Sequence, residues 1–154
     1  MKVNFRLNGQ RESWNVNDSE YLLDSLRDNN ILSVKRGCDT TSCSVCTVLL
    51  DGKPVPSCSV LTASIEGKEV TTVEGIKKDA EILAKHMGHE GADQCGFCNP
   101  SLALTVYAMR HEIKQPSNDD IKDFLVGNLC RCTGYIGQEK AIKNYLEEIN
   151  EGNQ

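Results

Sequence analysis

The sequence predicts an α+β protein in which a small sheet crossed by one helix precedes a four-helix bundle, because its apolar periodicity changes halfway along the chain. Before about residue 77, apolar residues alternate with polar ones and two-residue turn pairs separate the runs. After it, they recur at helical spacing in four stretches. Eight cysteines fall in two sets of four, one set in each part.

In chain order, Val3, Phe5 and Leu7 alternate up to Asn8-Gly9, and Trp14 and Val16 resume the alternation, which predicts a hairpin. Asn17 with Glu20 three residues on predicts a capped helix, with Leu22, Leu23 and Leu26 as its buried stripe and an end near Asn29-Asn30. A cysteine-rich loop follows. Val48, Leu50, Asp51-Gly52 and Val55 then predict a second hairpin, and residues 69 to 73 a last short strand. One helix crossing such a sheet resembles the β-grasp of plant-type ferredoxins. Gly75 and Lys77-Lys78-Asp79 read as a surface connection, which divides the chain into residues 1–76 and 77–154. Helices are expected over about 79–86, 100–111, 117–125 and 138–149. Asn99 is expected to cap the second of these, with Pro100 at its first position, and Ser117 with Asp120 to cap the third. Ala141, Ile142, Tyr145, Leu146 and Ile149 give the last one an apolar face.

Composition removes several function classes. With 39% hydrophobic and 25% charged residues the chain has a globular mixture, and a net charge of −5 without basic clusters argues against nucleic acid and anionic membrane partners. No apolar run approaches the ~20 residues of a membrane span, and the first ten residues lack the apolar core of a secretion signal. A cytoplasmic location is expected. There, cysteines are kept reduced and serve metals or catalysis rather than disulfides.

Cys38, Cys43, Cys46 and Cys58 are separated by four, two and eleven residues, the plant-type C-x4-C-x2-C…C spacing of a [2Fe–2S] cluster. Gly37, Ser42 and Ser44 are small enough to let one loop wrap closely around it. Cys95 and Cys98, then Cys130 and Cys132, form two facing pairs that suit a second [2Fe–2S] cluster, since C-x-C is an unusual spacing for zinc. His86, His89 and His111 lie on polar helical stretches and receive no role, and Arg131, Lys35, Arg36 and Asp39 are charges near the cysteines that solvent or partners can satisfy. Phe97 and Tyr135 flank ligand positions, either shielding a cluster or packing between helices. Neither a Ser–His–Asp set nor a phosphate-binding glycine loop occurs, so substrate chemistry has no evident home.

Residues 33–38, 43–48, Gln94-Cys95-Gly96-Phe97-Cys98-Asn99-Pro100 and 127–135 resemble the small iron–sulfur subunit of the molybdenum hydroxylases, the family of xanthine dehydrogenase and aldehyde oxidoreductase. The resemblance covers nearly the whole chain. It differs at Thr41-Ser42-Cys43-Ser44-Val45-Cys46, where the family usually has Gly-Glu-Cys-Gly-Ala-Cys, and at Ser101 in place of glycine. It implies a ferredoxin-like domain followed by a helical [2Fe–2S] domain, a large molybdopterin-binding subunit and an FAD-binding subunit as partners, and pterin contacts from Gln94 and Cys132. It also implies a hetero-oligomer, a dimer of heterotrimers among the assemblies open to it. Electrons would pass from the molybdenum cofactor through the helical-domain cluster and then the ferredoxin-like one to the flavin. The expected substrate is an N-heterocycle such as a purine. Nicotinate, an aldehyde or carbon monoxide are the alternatives, as is a free-standing ferredoxin-like carrier.

Overall fold

The computed structural model describes residues 1–152; the last two positions of the expected helical part lie outside them. Strands β1 (Lys2–Leu7) and β2 (Gln10–Asn15) pair antiparallel, with Leu7 opposite Gln10. Their connection, Asn8 at φ 51° and Gly9 at φ 80°, has the two left-handed residues whose twist matches that of the strands. Strands β3 (Thr47–Leu50) and β4 (Lys53–Pro56) repeat the device at Asp51 and Gly52. β5 (Glu69–Thr71) runs parallel to β1 and antiparallel to β3, giving the order β2-β1-β5-β3-β4.

Helix α1 (Leu22–Asp28) buries Leu22, Leu23 and Leu26 with Val3, Phe5, Leu7 and Val48. This is the β-grasp core. The Asn17 cap is not formed: Asn17 N–H donates to Glu20 Oε2 and Glu20 N–H to Asn17 O, a closed turn outside the helix, so α1 starts two residues after Glu20. Glu20 also accepts from the buried Ser25 hydroxyl, which anchors that turn to α1. Asn30, at φ 63°, ends the helical run where expected.

Four helices follow: α2 (Lys77–His89), α3 (Asn99–Glu112), α4 (Asn118–Leu125) and α5 (Ile136–Glu151). α4 has its full capping box, with Asp120 N–H donating to Ser117 Oγ and Ser117 N–H to Asp120 Oδ2. α3 departs from expectation, since Cys98 holds the cap position and Asn99 is already helical. The Asn99 side chain instead donates to Asp93 Oδ1 at 2.9 Å, and Leu102 N–H closes the first turn onto Cys98 O.

The connection at Val73–Ile76 is a tight turn rather than a loose surface segment, because Ile76 is buried and Asn8 Oδ1 accepts from Thr72 N–H at 2.8 Å. Alternation along β3 ties the halves together. Val48 joins the α1 core, whereas Leu49, 1% exposed, packs with Leu102, Val106 and the rest of the helical core on the opposite face. Among the described residues no helix is long and apolar enough to cross a membrane.

Candidate metal centres

The first cysteine set sits in the loop between α1 and β3, with Cys58 in the one-turn helix Ser57–Ser59 that follows β4. Ser57 fastens that turn to the loop, its hydroxyl donating to Cys46 O at 2.7 Å. Gly37 is obligatory: a Cβ there would stand 2.6 Å from Val45 Cγ2 and 3.1 Å from Cys43 Sγ. Thr41 and Ser44 adopt φ 58° and 53°, the left-handed region that side chains disfavour. The expected small-residue wrapping is thus achieved at Gly37, while Ser44 carries backbone strain.

The second set joins the start of α3 to the segment between α4 and α5. Gly96, at φ 72°, turns the chain between Cys95 and Cys98. Tyr135, at φ 71°, begins α5 and its hydroxyl accepts Cys130 N–H at 3.0 Å. All four thiols line one cleft of about 350 Å³, which Cys43 and Phe97 also border. Two side chains not anticipated from sequence reach the sulfurs: the Thr133 hydroxyl lies 3.1 Å from Cys130 Sγ, and Gln138 Nε2 donates to Cys98 Sγ at 3.8 Å. Gln138 had a legible signal, being a polar residue in the first turn of a helix with an apolar face; it is 3% exposed.

Among the described residues no three His, Cys, Asp or Glu groups converge as a ready site for one ion. The thiols meet in twos instead: Cys38 with Cys43, Cys46 with Cys58, Cys95 with Cys132, and Cys98 with Cys130. Two pairs per set is the donor arrangement of a binuclear cluster, which takes two thiolates at each iron, so the residues fit [2Fe–2S] groups.

Titration within the pairs is uneven. Cys38 is held down to about 6, first by Cys43 N–H and then by the Cys43 thiol and the Thr40 and Ser42 N–H groups, while burial pushes its partner Cys43 up. Phe97 N–H and the Cys132 thiol lower Cys95, and contact with Cys95 raises Cys132. Burial pushes Cys46 and Cys98 up to about 11. Burial acts upward on Cys130 too, but the Thr133 hydroxyl and the Thr133 and Cys132 N–H groups outweigh it. Adjacent thiolates repel, so a pair retains a proton until a cation replaces it.

The neighbouring charges separate. Lys35 crosses to the second set, donating to Phe97 O at 3.3 Å with its ammonium 5.0 Å from the Phe97 ring, and Arg36 pairs with Asp24. Arg131 is exposed and pairs with no carboxylate among the described residues. Gln94 and Cys132 are exposed. Phe97 and Tyr135, each 44% exposed, border the cleft and do not pack between helices. His86 is half-buried and bonded to Glu148 at 2.8 Å, and His111 contacts Tyr107 O, so neither faces a cysteine.

Residues 5–74 match the 2Fe-2S iron-sulfur cluster binding domain family, and residues 72–143 the [2Fe-2S] binding domain family. The nicotinate dehydrogenase small FeS subunit of Eubacterium barkeri is 36% identical over 94% of both chains. The xanthine dehydrogenase iron-sulfur-binding subunit of Escherichia coli is 43% identical over 74% of both. Quinoline 2-oxidoreductase from Pseudomonas putida contains a chain with TM-score 0.90 and 33% identity, matched over 100% of this chain and 98% of that one. Aldehyde oxidoreductase from Desulfovibrio desulfuricans gives TM-score 0.91 and 34% identity, with 97% of this chain matching 17% of that much longer one. The chain belongs to the small [2Fe–2S] iron–sulfur subunits of the molybdenum hydroxylase family, the xanthine dehydrogenase and aldehyde oxidoreductase group. It is an α+β member, with a β-grasp and a four-helix part.

Proposed function

We propose that this chain relays electrons from a molybdopterin-binding large subunit to an FAD-binding subunit, and that it performs no substrate chemistry itself. In this reading Cys38, Cys43, Cys46 and Cys58, in a ferredoxin-like domain of residues 1–76, hold one [2Fe–2S] cluster. Cys95, Cys98, Cys130 and Cys132, in a helical domain of residues 77–154, hold the other. When bound, each cluster supplies a one-electron acceptor and donor. The chain's own residues hold it, dry it and connect the two positions.

The observation that carries the proposal is the junction of the loops. Leu129 N–H, adjacent to Cys130, donates to Cys43 O at 3.2 Å, so one hydrogen bond links the two cysteine sets along the backbone. Val34 and Val45, buried beside the first set, and Cys46, buried within it, limit water there. The rim of the second set is different, since Phe97, Leu129 and Tyr135 border its cleft while Val126 and Ile136 nearby are 76% and 71% exposed. An apolar rim around exposed Cys132, with exposed Gln94 next to Cys95, supports a covering large subunit, with Gln94 and Cys132 against the pterin, over a free-standing carrier.

Relatives named for nicotinate and xanthine, and a structural neighbour named for quinoline, support an N-heterocycle such as a purine as substrate. The assembly is a cytoplasmic hetero-oligomer, a dimer of heterotrimers in its simplest symmetric form. Purifying the tagged chain from its native host tests this. Two larger chains are expected to copurify, and xanthine or nicotinate to reduce both clusters. A monodisperse chain with its full iron content, or clusters that no N-heterocycle reduces, would overturn it.

A further inference from the structure

Most sulfurs of the first set receive backbone N–H groups: Cys38 from Thr40, Ser42 and Cys43, Cys43 from Val45, and Cys46 from Cys58. Cys58 has a side-chain hydroxyl beside it. Its Sγ lies 3.6 Å from the Thr41 hydroxyl, contributed by a residue at φ 58°. A β-branched residue in that region is a genuine outlier, a strained backbone that glycine would adopt freely. The neighbouring hydroxyls, Thr40 Oγ1 and Ser42 Oγ, bond each other at 2.9 Å, while that of Thr41 contacts Cys58 Sγ.

We propose that Thr41 is a tuning residue of the ferredoxin-like centre, its hydroxyl donating to the Cys58 thiolate and raising the reduction potential of that cluster alone. The inference rests on Cys58 being a cluster ligand, as proposed above. A ligating thiolate has no proton, so in this contact the hydroxyl is the donor. One-electron reduction adds negative charge that spreads onto the ligand sulfurs. A hydrogen bond to sulfur therefore strengthens on reduction and favours the reduced form. The effect is local because the second set lies beyond the loop junction, with its own hydroxyl, that of Thr133, 3.1 Å from Cys130 Sγ.

The test is a redox titration of the purified complex, followed by the two reduced-state EPR signals, on Thr41→Gly, Thr41→Val and Thr41→Ser. Thr41→Gly relieves the backbone and removes the hydroxyl, Thr41→Val removes only the hydroxyl, and Thr41→Ser restores it. The expected result is a lower midpoint for the ferredoxin-like signal in the Gly and Val variants. That corresponds to about a threefold smaller reduced-to-oxidised ratio at fixed potential, a modest hydrogen-bond difference. The Ser variant keeps the parent midpoint, and the second signal is unmoved in all three. Equal midpoints in Thr41→Gly and Thr41→Ser, or equal movement of both signals, would overturn the inference. Because Thr41→Gly relieves strain, it keeps the test open if Thr41→Val fails to assemble. A parent complex lacking the ferredoxin-like signal would instead remove the ligand reading beneath it.

Discussion

The two cysteine sites solve one problem with different materials. In the first, a single loop turns its own N–H groups onto the sulfurs, its curvature made by left-handed backbone at Thr41 and Ser44. In the second, two helix junctions separated by thirty-one residues face each other, and side chains from Thr133, Gln138 and Lys35 complete the surroundings. A backbone cage fixes its electrostatics at folding. A site built from facing helix ends stays open on one side, where a partner can finish it.

The largest effect tests whether the sites are independent. Cys130→Ser is expected to remove one EPR signal and about half of the iron while leaving the ferredoxin-like signal, and Cys46→Ser to do the reverse. Loss of both signals from either variant would break the comparison.

Independence of the sites does not extend to folding. Leu49→Ala removes a fully buried side chain of β3 from the helical core, and a loss of roughly 2–5 kcal/mol is expected. Heat unfolding followed by circular dichroism is expected to show both halves melting earlier together. A shift confined to one of two separate transitions would contradict the shared role of β3. Smaller changes sharpen the contrast. Ser117→Ala breaks the α4 capping box and costs about 1 kcal/mol, with both signals unchanged. Ser44→Gly relieves a left-handed backbone and is expected to stabilise by roughly 0.5 to 1 kcal/mol.

The smallest effect is chemical. In the iron-free chain Cys38, held down to about 6, is mostly thiolate above that pH, whereas Cys46, at about 11, stays protonated. Iodoacetamide at pH 7 is expected to label Cys38 well before Cys46, and the preference to fade as pH falls below about 6. Equal labelling at pH 7 would show that the loop amides do not act on Cys38.

Strong local rules made much of this legible in the sequence. The hairpins at Asn8-Gly9 and Asp51-Gly52, the Ser117 cap and the buried faces of α1 and α5 depend on neighbouring residues, and they appear where the pattern put them. Asn17 and Asn99 had cap chemistry but cap nothing: the Asn17–Glu20 turn closes before α1 begins, and Asn99 already lies inside α3, its side chain donating to Asp93. Spacing divided the cysteines into two sets but said nothing of how they pair. Cys38 with Cys43 and Cys98 with Cys130 follow from the fold of loops, as do the hydroxyls of Thr41 and Thr133 at sulfur. Leu49 likewise looked like an ordinary strand residue until a second core covered that face.

The central claim, two [2Fe–2S] clusters of unlike construction on one chain, is tested most directly by metal analysis with EPR of the reduced protein. About four irons per chain and two distinguishable signals are predicted. Zinc without a signal, or one signal with four cysteines still open to alkylation, would contradict it.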